Sequence, residues 1–351
     1  MTETLPPQAA DFDPAPLAAL LRDRGLIGVE PLDIARLTGG QSNPTYRLTA
    51  GSRRYVLRKK PPGQLLKSAH AIDREFRVIS ALWDSDVPVP TAHFYEEDAS
   101  VVGTPFYLMD FLDGRVLMDQ SLPGLAREER GAIYREMNRV IAALHSVEPA
   151  NIGLGDYGRA GNYFARQIDR WGRQVRDHSP GEPRIAALDA LADWLPEHIP
   201  PGDETRLVHG DYRLDNLVFH PTEPRAIGLL DWELSTLGHP LADFSYNCLS
   251  WHIPADLWRG IGGLDLAALG IPDEATYVGW YAEAAGADGI DHWDFYLAYN
   301  LFRLAAIMQG IARRAREGNA AAPDAVETGA KATPLAELGW RFALRAQAAG
   351  A

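Results

Sequence analysis

A short segment near the middle of the chain, LVHGDYRLDN (207–216), gathers several polar side chains between two apolar runs. Asp211 and Asn216 are five residues apart, and Asp231 ends a later apolar run, LLDW. Such carboxylate and amide oxygens are the ligands that Mg2+ prefers, commonly together with the phosphates of a nucleotide. A carboxylate can also accept the proton of a hydroxyl that attacks a phosphate. These residue types therefore indicate magnesium-dependent transfer of a phosphoryl group.

The segment after Asn216 is predicted to be a β-hairpin inside a largely helical half of the chain. Two β-rich runs, NLVFH and RAIGLLDW, are joined by the turn PTEP. This hairpin would bring Asp211, Asn216 and Asp231 to one end. The alternative is a polar turn in which Asp and Asn bond nearby backbone, as these residues commonly do in loops. The order of HGD, four residues, Asn and a strand ending in Asp favours the catalytic interpretation.

The hydrophobic pattern divides the chain into a β-rich first part and a helical second part. Residues 34–60 predict two or three strands, and the strand pattern returns at TAHFYEED and GTPFYLMDFLDG. One helix interrupts these strands, with an apolar face at Ile72, Phe76, Ile79 and Trp83, and a short helix ending at Gly25 precedes them. In the second part, two helices are predicted from the apolar positions Ile133, Met137, Val140, Ile141 and Leu144, and Phe164, Ile168, Trp171 and Val175.

Taken together, these motifs resemble the aminoglycoside phosphotransferase family of small-molecule kinases, whose signature is HGDxxxxN followed by a strand ending in Asp, here LLDWE. More narrowly, the chain is similar to the branch that includes kinase-like domains fused to acyl-CoA dehydrogenases, on the segments GGQSNPTYRL, YVLRKKPPG, AHAIDREFRV, LMDFLDGR and LDWELSTLGHPLADFSY. The resemblance covers about residues 30–310.

The resemblance implies an α+β, protein-kinase-like bilobal fold. We expect a β-rich N-lobe with one helix and a mainly α-helical C-lobe that carries the catalytic hairpin. The predicted domains are an N-terminal leader and helix at 1–29, a nucleotide-binding N-lobe at 30–112 and a catalytic and substrate-binding C-lobe at 113–351.

The resemblance also implies roles for the residues of the opening segment. Asp211 accepts or orients the substrate hydroxyl proton, and Asn216 and Asp231 hold Mg2+. Arg213 has two interpretations, contact with the γ-phosphate or a substrate anion, or a structural ion pair. His209 is expected to bond the loop backbone. Asp215 has no assignable role.

In the predicted N-lobe, the resemblance makes Arg58 the cation on the third strand that contacts the α/β-phosphates, and Glu75 its partner on the following helix. The resemblance implies that the usual residue in the wider superfamily is Lys, so Arg58 is a departure. By strand alternation, Lys59 is expected to face solvent. The remaining predicted nucleotide contacts are Gly40, Ser42 and Asn43 in a Gly-rich loop, and Met109, Asp110 and Phe111 in the connector that faces the base. A Gly-Gly hairpin turn and an ordinary core methionine are the alternatives for Gly40 and Met109.

The roles expected for two carboxylates after Asp231 are less specific. Asp243 is expected to cap a helix or to brace the site from the helix that it opens. Glu233 is interpreted as a carboxylate behind the metal ligands or as a substrate contact.

Composition limits the other functional classes. A chain of 351 residues with 46% hydrophobic residues can bury a sizeable core. Its formal net charge of −13 argues against general binding to nucleic-acid phosphates. No signal-peptide pattern and no apolar run of about 18 residues occurs, so we expect a cytoplasmic protein without a membrane partner. The one cysteine, Cys248, is expected to be buried and unbridged.

The function predicted is an ATP- or GTP-dependent, Mg2+-dependent kinase that phosphorylates a hydroxyl of a small molecule. The branch resemblance implies a hydroxy acid or hydroxyacyl-CoA, and the alternative acceptor is an aminoglycoside or another amino or sugar alcohol. A nucleotide-binding pseudokinase or scaffold is a second hypothesis, although Asp211, Asn216 and Asp231 are all present. A protein kinase is disfavoured, because Gly210 stands where those enzymes carry an Arg and because no APE segment follows Asp231. The sequence does not predict the oligomeric state.

Overall fold

The computed structural model describes residues 10–37, 43–63, 71–177, 183–317 and 324–349. Internal contacts divide the chain into two compact units, which we call unit 1 and unit 2. Unit 1 contains the described residues among Met1–Arg115, Ile152–Leu154 and Leu217–Leu234. Unit 2 contains those among Val116–Asn151, Gly155–Asn216 and Ser235–Ala351. The limits predicted at residues 29 and 112 remain predictions.

Unit 1 is built on an antiparallel sheet of five strands in the order β1-β2-β3-β5-β4. The strands are β1 (Asp33–Arg36), β2 (Thr45–Ala50), β3 (Arg53–Lys59), β4 (Ala92–Glu96) and β5 (Phe106–Asp110). Alternating burial along β2 places Tyr46 and Leu48 in the core, as strand periodicity requires. The strands predicted from the hydrophobic pattern are therefore confirmed.

The described residues of unit 1 include two α-helices, and the first of them packs on the sheet. They are α1 (Pro14–Asp23) and α2 (Ile72–Ala81). Leu17 and Leu21 of α1 lie in one apolar cluster with the buried side chains of the sheet. Helix α1 ends where the sequence predicted, since Gly25 has a φ of 70°, which favours glycine.

The expectation that Lys59 faces solvent is wrong. Its side chain is 4% exposed, and its Nζ lies 3.1 Å from Asp11 Oδ1 and donates to Val102 O at 2.8 Å. The ammonium also lies 4.9 Å from the centre of the Phe12 ring. Strand alternation does place Lys59 on the face opposite Arg58, but α1 and the residues before it cover that face.

The predicted apolar face of α2 is partly wrong as well. Ile72 and Ile79 are buried, whereas Trp83 lies beyond the end of the helix and is 55% exposed. Glu75, which the apolar pattern did not include, is buried on the inner face of the helix. Helical spacing alone overlooked a buried acidic residue, because a carboxylate enters a core only when specific donors pair with it.

The predicted hairpin is present in unit 1. Its strands are β8 (Leu217–Phe219) and β9 (Ala226–Leu229), and β8 also neighbours the short strand β6 (Arg115–Val116). The hairpin is tied to the rest of unit 1 by the backbone, since Leu229 N donates to Pro88 O at 2.7 Å. Asp231 lies two residues after the end of β9.

Unit 2 is mainly helical. Its helices are α3 (Arg127–Ser146), α4 (Tyr163–Arg176), α5 (Ala186–Trp194), α6 (Pro240–Cys248), α7 (Leu266–Leu269), α8 (Glu274–Ala284), α9 (Trp293–Arg316), α10 (Ala325–Ala330) and α11 (Ala332–Ala349). A two-stranded antiparallel sheet pairs β7 (Arg206–Val208) with β10 (Thr236–Gly238). The core centres on α9, whose buried residues run along most of its length.

Helical periodicity predicted the buried faces of unit 2 well. All five positions predicted on α3 are buried, and on α4 only Trp171 is partly exposed. Cys248 is buried and unbridged, as expected. Among the described residues, no helix has both the length and the apolar character needed to cross a membrane.

Replacing Asp11 with Ala tests the buried contact of Lys59. Loss of the carboxylate leaves a buried ammonium with fewer partners, so we expect the free energy of unfolding to fall by about 1–2 kcal/mol in chemical denaturation. Asp113→Ala is the control, because that carboxylate pairs with Arg54 at the same distance range but at an exposed site. Equal effects of the two variants would contradict the buried role of Lys59.

Candidate active site

An ion pair between β3 and α2 lies at the centre of the polar cluster in unit 1. Arg58 Nε is 2.9 Å from Glu75 Oε2, and the Glu75 side chain is 2% exposed. Glu75 accepts two further hydrogen bonds, from Tyr107 OH at 3.1 Å and from Asn43 Nδ2 at 3.0 Å. The structure therefore brings together Arg58 and Glu75 as the sequence predicted, with both carboxylate oxygens of Glu75 engaged.

The other side of the Arg58 guanidinium meets the carboxylates that follow β9. Arg58 Nη2 lies 3.2 Å from Asp231 Oδ1 and 3.6 Å from Glu233 Oε2. Asp231 has a φ of 65°, an uncommon conformation for a residue other than glycine, and such backbone is typical of functional sites. One guanidinium thus holds three carboxylates from two parts of the sequence.

Burial and charge act in opposite directions on the two members of this ion pair. Burial disfavours the charge of Arg58, but Glu75 and the carboxylates beyond it raise the pKa of the guanidinium above its ordinary value. Burial raises the pKa of Glu75 to about 7, although the attraction of Arg58 opposes that rise. Arg58 therefore keeps its charge, whereas Glu75 titrates near neutral pH.

The remaining residues predicted to bind the nucleotide have different settings. Asn43 is buried and supports Glu75, and its predicted contact with a phosphate remains a prediction. Gly40 and Ser42 lie outside the described residues. Met109 is largely buried within β5, Asp110 Oδ1 accepts a hydrogen bond from His93 Nε2 at 2.7 Å, and Phe111 N donates to Arg54 O. Their contact with a base also remains a prediction.

In unit 2, a buried carboxylate fixes the loop that carries Asp211. Asp243 accepts hydrogen bonds from His209 N at 2.7 Å and Gly210 N at 2.9 Å. Although burial works against its charge, His145, His209 and the backbone donors keep the pKa of Asp243 below its ordinary value. Gly210 has a φ of 83°, which allows the sharp turn after β7. Asp243 thus braces the loop, as expected.

The loop also supports itself. Asp211 N donates to His209 Nδ1 at 3.3 Å, which confirms His209 as a residue that bonds the loop backbone. Asn216 Nδ2 donates to Asp211 O at 2.8 Å. Because that contact uses the amide nitrogen, the amide oxygen of Asn216 is the atom with which it could bind a metal.

Both oxygens of the Asp211 carboxylate have cationic or neutral donors. Tyr246 OH donates to Oδ1 at 2.8 Å, and Arg213 Nη2 lies 3.1 Å from Oδ2. Sequence reasoning did not identify Tyr246, since no motif spans the interval between the two residues. The spacing of Tyr246 three residues after Asp243 places both on neighbouring turns of α6 and could have suggested a shared face.

Asp215 and Arg259 form an ion pair that was not predicted from the sequence. The Asp215 side chain is 7% exposed, contacts Arg259 closely, and lies 3.5 Å from Arg213 Nε. Arg259 has a φ of 45°, and its guanidinium lies 5.3 Å from the centre of the Trp258 ring. Arg213 is therefore paired with Asp211 and Asp215, and its predicted contact with a phosphate or substrate anion remains a prediction.

Arg213 and Arg259 line a cleft in unit 2. Its described lining consists of Gln120, Arg213, Tyr246, Asn247, Leu249, Ser250, Ile253, Trp258, Arg259 and Leu304. This described lining contains two guanidinium groups and lacks Asp and Glu. Because Tyr246 and Arg213 both contact Asp211, the cleft lies beside the proposed catalytic carboxylate.

The donor chemistry of the predicted metal ligands fits Mg2+. Asn216 offers an amide oxygen and Asp231 offers a carboxylate, and both are hard oxygen ligands. In the described parts of the chain, no group of three or more His, Cys, Asp and Glu side chains is arranged to hold a metal ion. The assignment of Asn216 and Asp231 remains a prediction.

Comparison with known proteins was made on the sequence and on the fold. A family model described as the phosphotransferase enzyme family (APH) matches residues 33–299. Acyl-CoA dehydrogenase family member 10 of Mus musculus is 44% identical over 327 residues, which cover 92% of this chain and 30% of that protein. The chain spans about 30–40% of the length of the curated relatives that it matches.

Solved structures share the fold. A crystal structure from Ralstonia eutropha JMP134, provisionally assigned as an aminoglycoside phosphotransferase, is 51% identical, with a TM-score of 0.86 over 95% of this chain and 99% of that one. Spectinomycin phosphotransferase in complex with ADP and spectinomycin has a TM-score of 0.62 at 13% identity, over 93% of this chain and 98% of that one. The GDP complex of aminoglycoside 2'-phosphotransferase-IIIa has a TM-score of 0.61 at 14% identity, over 93% and 97%. The predicted α+β kinase-like fold is confirmed.

Glu75→Gln tests the buried ion pair through the pH dependence of stability. The pKa of Glu75 is about 7 in the folded chain, against 4.5 for an ordinary Glu. Between these two pH values the folded chain retains the proton of Glu75, whereas the unfolded chain has released it. The Glu75 contribution to the free energy of unfolding therefore decreases as pH rises from 4.5 to about 7. Urea denaturation across this range should show that decrease in the native chain and not in Glu75→Gln. Parallel pH profiles would contradict the shifted pKa.

Proposed function

This chain belongs to the phosphotransferase enzyme family, and from that membership we propose that it is a kinase that transfers the γ-phosphate of ATP or GTP to a hydroxyl of a small molecule. The observation that carries the proposal is the Asp211 carboxylate, held by Tyr246 and Arg213 on a loop that Asp243 braces. Phosphoryl transfer gains mainly from positioning and charge neutralisation, so a fixed carboxylate is what the reaction needs.

In this mechanism, Asp211 orients the acceptor hydroxyl and takes its proton as the oxygen attacks the γ-phosphorus. The bond from the γ-phosphorus to the bridging oxygen breaks, and the nucleoside diphosphate leaves. A carboxylate of ordinary basicity suffices, because the hydroxyl loses its proton late in a loose transition state. Asp211 therefore contributes to rate more than to binding.

The nucleotide is assigned to the residues of unit 1. Arg58, oriented by Glu75, contacts the α/β-phosphates, and Gly40, Ser42 and Asn43 lie in the loop proposed to cover them. Met109, Asp110 and Phe111 are the proposed contacts of the base. Asn216 and Asp231 would hold Mg2+, which neutralises the charge of the phosphates when bound. ADP and GDP complexes of proteins with this fold support a nucleotide co-substrate and leave the base open.

We assign the acceptor to the cleft beside Asp211 and propose a hydroxy acid or its CoA thioester. Arg213 and Arg259 line this cleft, each paired with Asp215, and a guanidinium has further donors that can bind carboxylate or phosphate oxygens. The similarity to acyl-CoA dehydrogenase family members also supports an acyl acceptor.

A screen for nucleoside diphosphate formation tests the proposed activity. The native chain is incubated with ATP or GTP, Mg2+ and hydroxy acids, hydroxyacyl-CoAs, sugars or aminoglycosides, beside Asp211→Asn. We expect turnover of a hydroxy acid or thioester, loss of turnover on chelation of Mg2+, and kcat lower by about 10²–10⁴-fold in Asp211→Asn with little change in nucleotide KM.

Each other outcome of this screen has a defined meaning. A nucleotide that raises the melting temperature without turnover of any acceptor would favour a pseudokinase. Turnover confined to aminoglycosides would contradict the acceptor class, and a chain that neither binds nor hydrolyses the nucleotide would contradict the kinase assignment.

Arg259→Gln tests the acceptor assignment. Loss of its charge should raise the KM for a hydroxy acid by about tenfold, and should change the KM for the matching neutral hydroxy amide much less. Arg184→Gln serves as the control, since its ion pair with Asp189 lies elsewhere in unit 2. Equal losses for the acid and the amide would show that Arg259 does not select the anion.

A further inference from the structure

We propose that Tyr246 is the positioning residue of the Asp211 carboxylate, so that the tyrosine hydroxyl keeps this carboxylate aimed at the acceptor. The inference rests on the proposed function, in which Asp211 receives the acceptor proton. Tyr246 does not react in this scheme, because the proton travels from the acceptor hydroxyl to Asp211.

The placement of Tyr246 on α6 carries the first part of the argument. Asp243, one helical turn earlier, accepts the backbone hydrogen bonds of His209 and Gly210, while Tyr246 OH donates to Asp211 Oδ1 at 2.8 Å. A single rigid helix thus fixes both the backbone that precedes Asp211 and the side chain of Asp211 itself. The two contacts together leave the carboxylate little freedom to rotate.

The hydroxyl of Tyr246 acts as a donor throughout the working pH range. Burial raises the pKa of Tyr246 above its ordinary value, and the neighbouring charge of Asp211 raises it further. A phenol that stays protonated can serve a carboxylate only by donating. The hydrogen bond therefore holds Oδ1 of Asp211 in a fixed direction.

Arg303 of α9 supports Tyr246 from the other side. Its guanidinium carbon lies 5.2 Å from the centre of the Tyr246 ring, and its Nη2 donates to Gly210 O at 2.8 Å. Arg303 is partly buried and retains its charge, since the surrounding tyrosines and Asp211 raise its pKa against the effect of burial. The charged groups that face Tyr246 are accordingly Asp211 and Arg213 from the loop and Arg303 from α9.

Tyr246 also lines the cleft assigned to the acceptor. Each carboxylate oxygen has two lone-pair positions, so the contacts with Tyr246 and Arg213 leave acceptor positions on Asp211. An acceptor that enters the cleft meets the same tyrosine that orients the base. Tyr246 therefore couples the position of the acceptor hydroxyl to the direction of the base.

Tyr246→Phe removes only the hydroxyl and tests this role in steady-state kinetics. We expect kcat with a turned-over acceptor to fall by about tenfold, with the nucleotide KM unchanged. The control is Tyr157→Phe, which loses a buried 2.7 Å hydrogen bond to Ser235 Oγ and should keep native kinetics. A fall in melting temperature with native kcat would overturn the proposal.

A measurement that needs no turnover separates this proposal from the proposed function. Carbon-13 NMR of Asp labelled at the carboxyl carbon, with the Asp211 signal assigned through Asp211→Asn, reports the mobility of this carboxylate at a fixed pH. Its relaxation should show a more mobile carboxylate in Tyr246→Phe and native mobility in Tyr157→Phe. Native mobility in Tyr246→Phe would overturn the positioning role, whereas failure of every acceptor in the native chain would contradict only the kinase activity.

Discussion

The buried carboxylate of Asp243 is the constraint on which the proposed chemistry depends. By accepting the backbone N–H groups of His209 and Gly210, it fixes the turn that follows β7 and hence the direction of Asp211. A buried charge is costly unless donors compensate for it, and here His145 and the two backbone groups supply that compensation. The hydrogen bonds that compensate for the burial of Asp243 therefore also hold the loop rigid. A reaction that relies on positioning requires such rigidity.

In the cluster around Arg58 in unit 1, partners again compensate for a buried charge, but here the buried group is a cation and its partners are carboxylates. A largely buried guanidinium is held by Glu75 from one side and by Asp231 and Glu233 from the other. Replacement of the usual Lys by Arg suits this arrangement, because a planar guanidinium can contact carboxylates along more than one edge. Arg58 thereby links the helix α2 to the segment after β9, both of which the proposed nucleotide site requires.

The sequence predicted those parts of the site that depend on local order along the chain. The HGD loop, Asn216, the hairpin and the pairing of Arg58 with Glu75 all follow from motifs in which spacing determines placement. The contacts that Tyr246 and Arg259 make with Asp211 and Asp215 could not be predicted, because these partners are 35 and 44 residues away and only the packing of unit 2 brings them together. The solvent exposure of Lys59 and Trp83 was predicted wrongly for a related reason. Periodicity indicates on which face of an element a side chain lies, but not whether another part of the chain covers that face.

The identity of the reaction product tests the kinase assignment most directly. Phosphorus-31 NMR of the chain with ATP, Mg2+ and a hydroxy acid or its CoA thioester distinguishes transfer to an alcohol from hydrolysis. We predict a new phosphate monoester signal that grows as the γ-phosphate signal of ATP declines. Growth of inorganic phosphate alone, or an unchanged spectrum in the presence of bound ATP, would contradict a kinase that acts on a small-molecule hydroxyl.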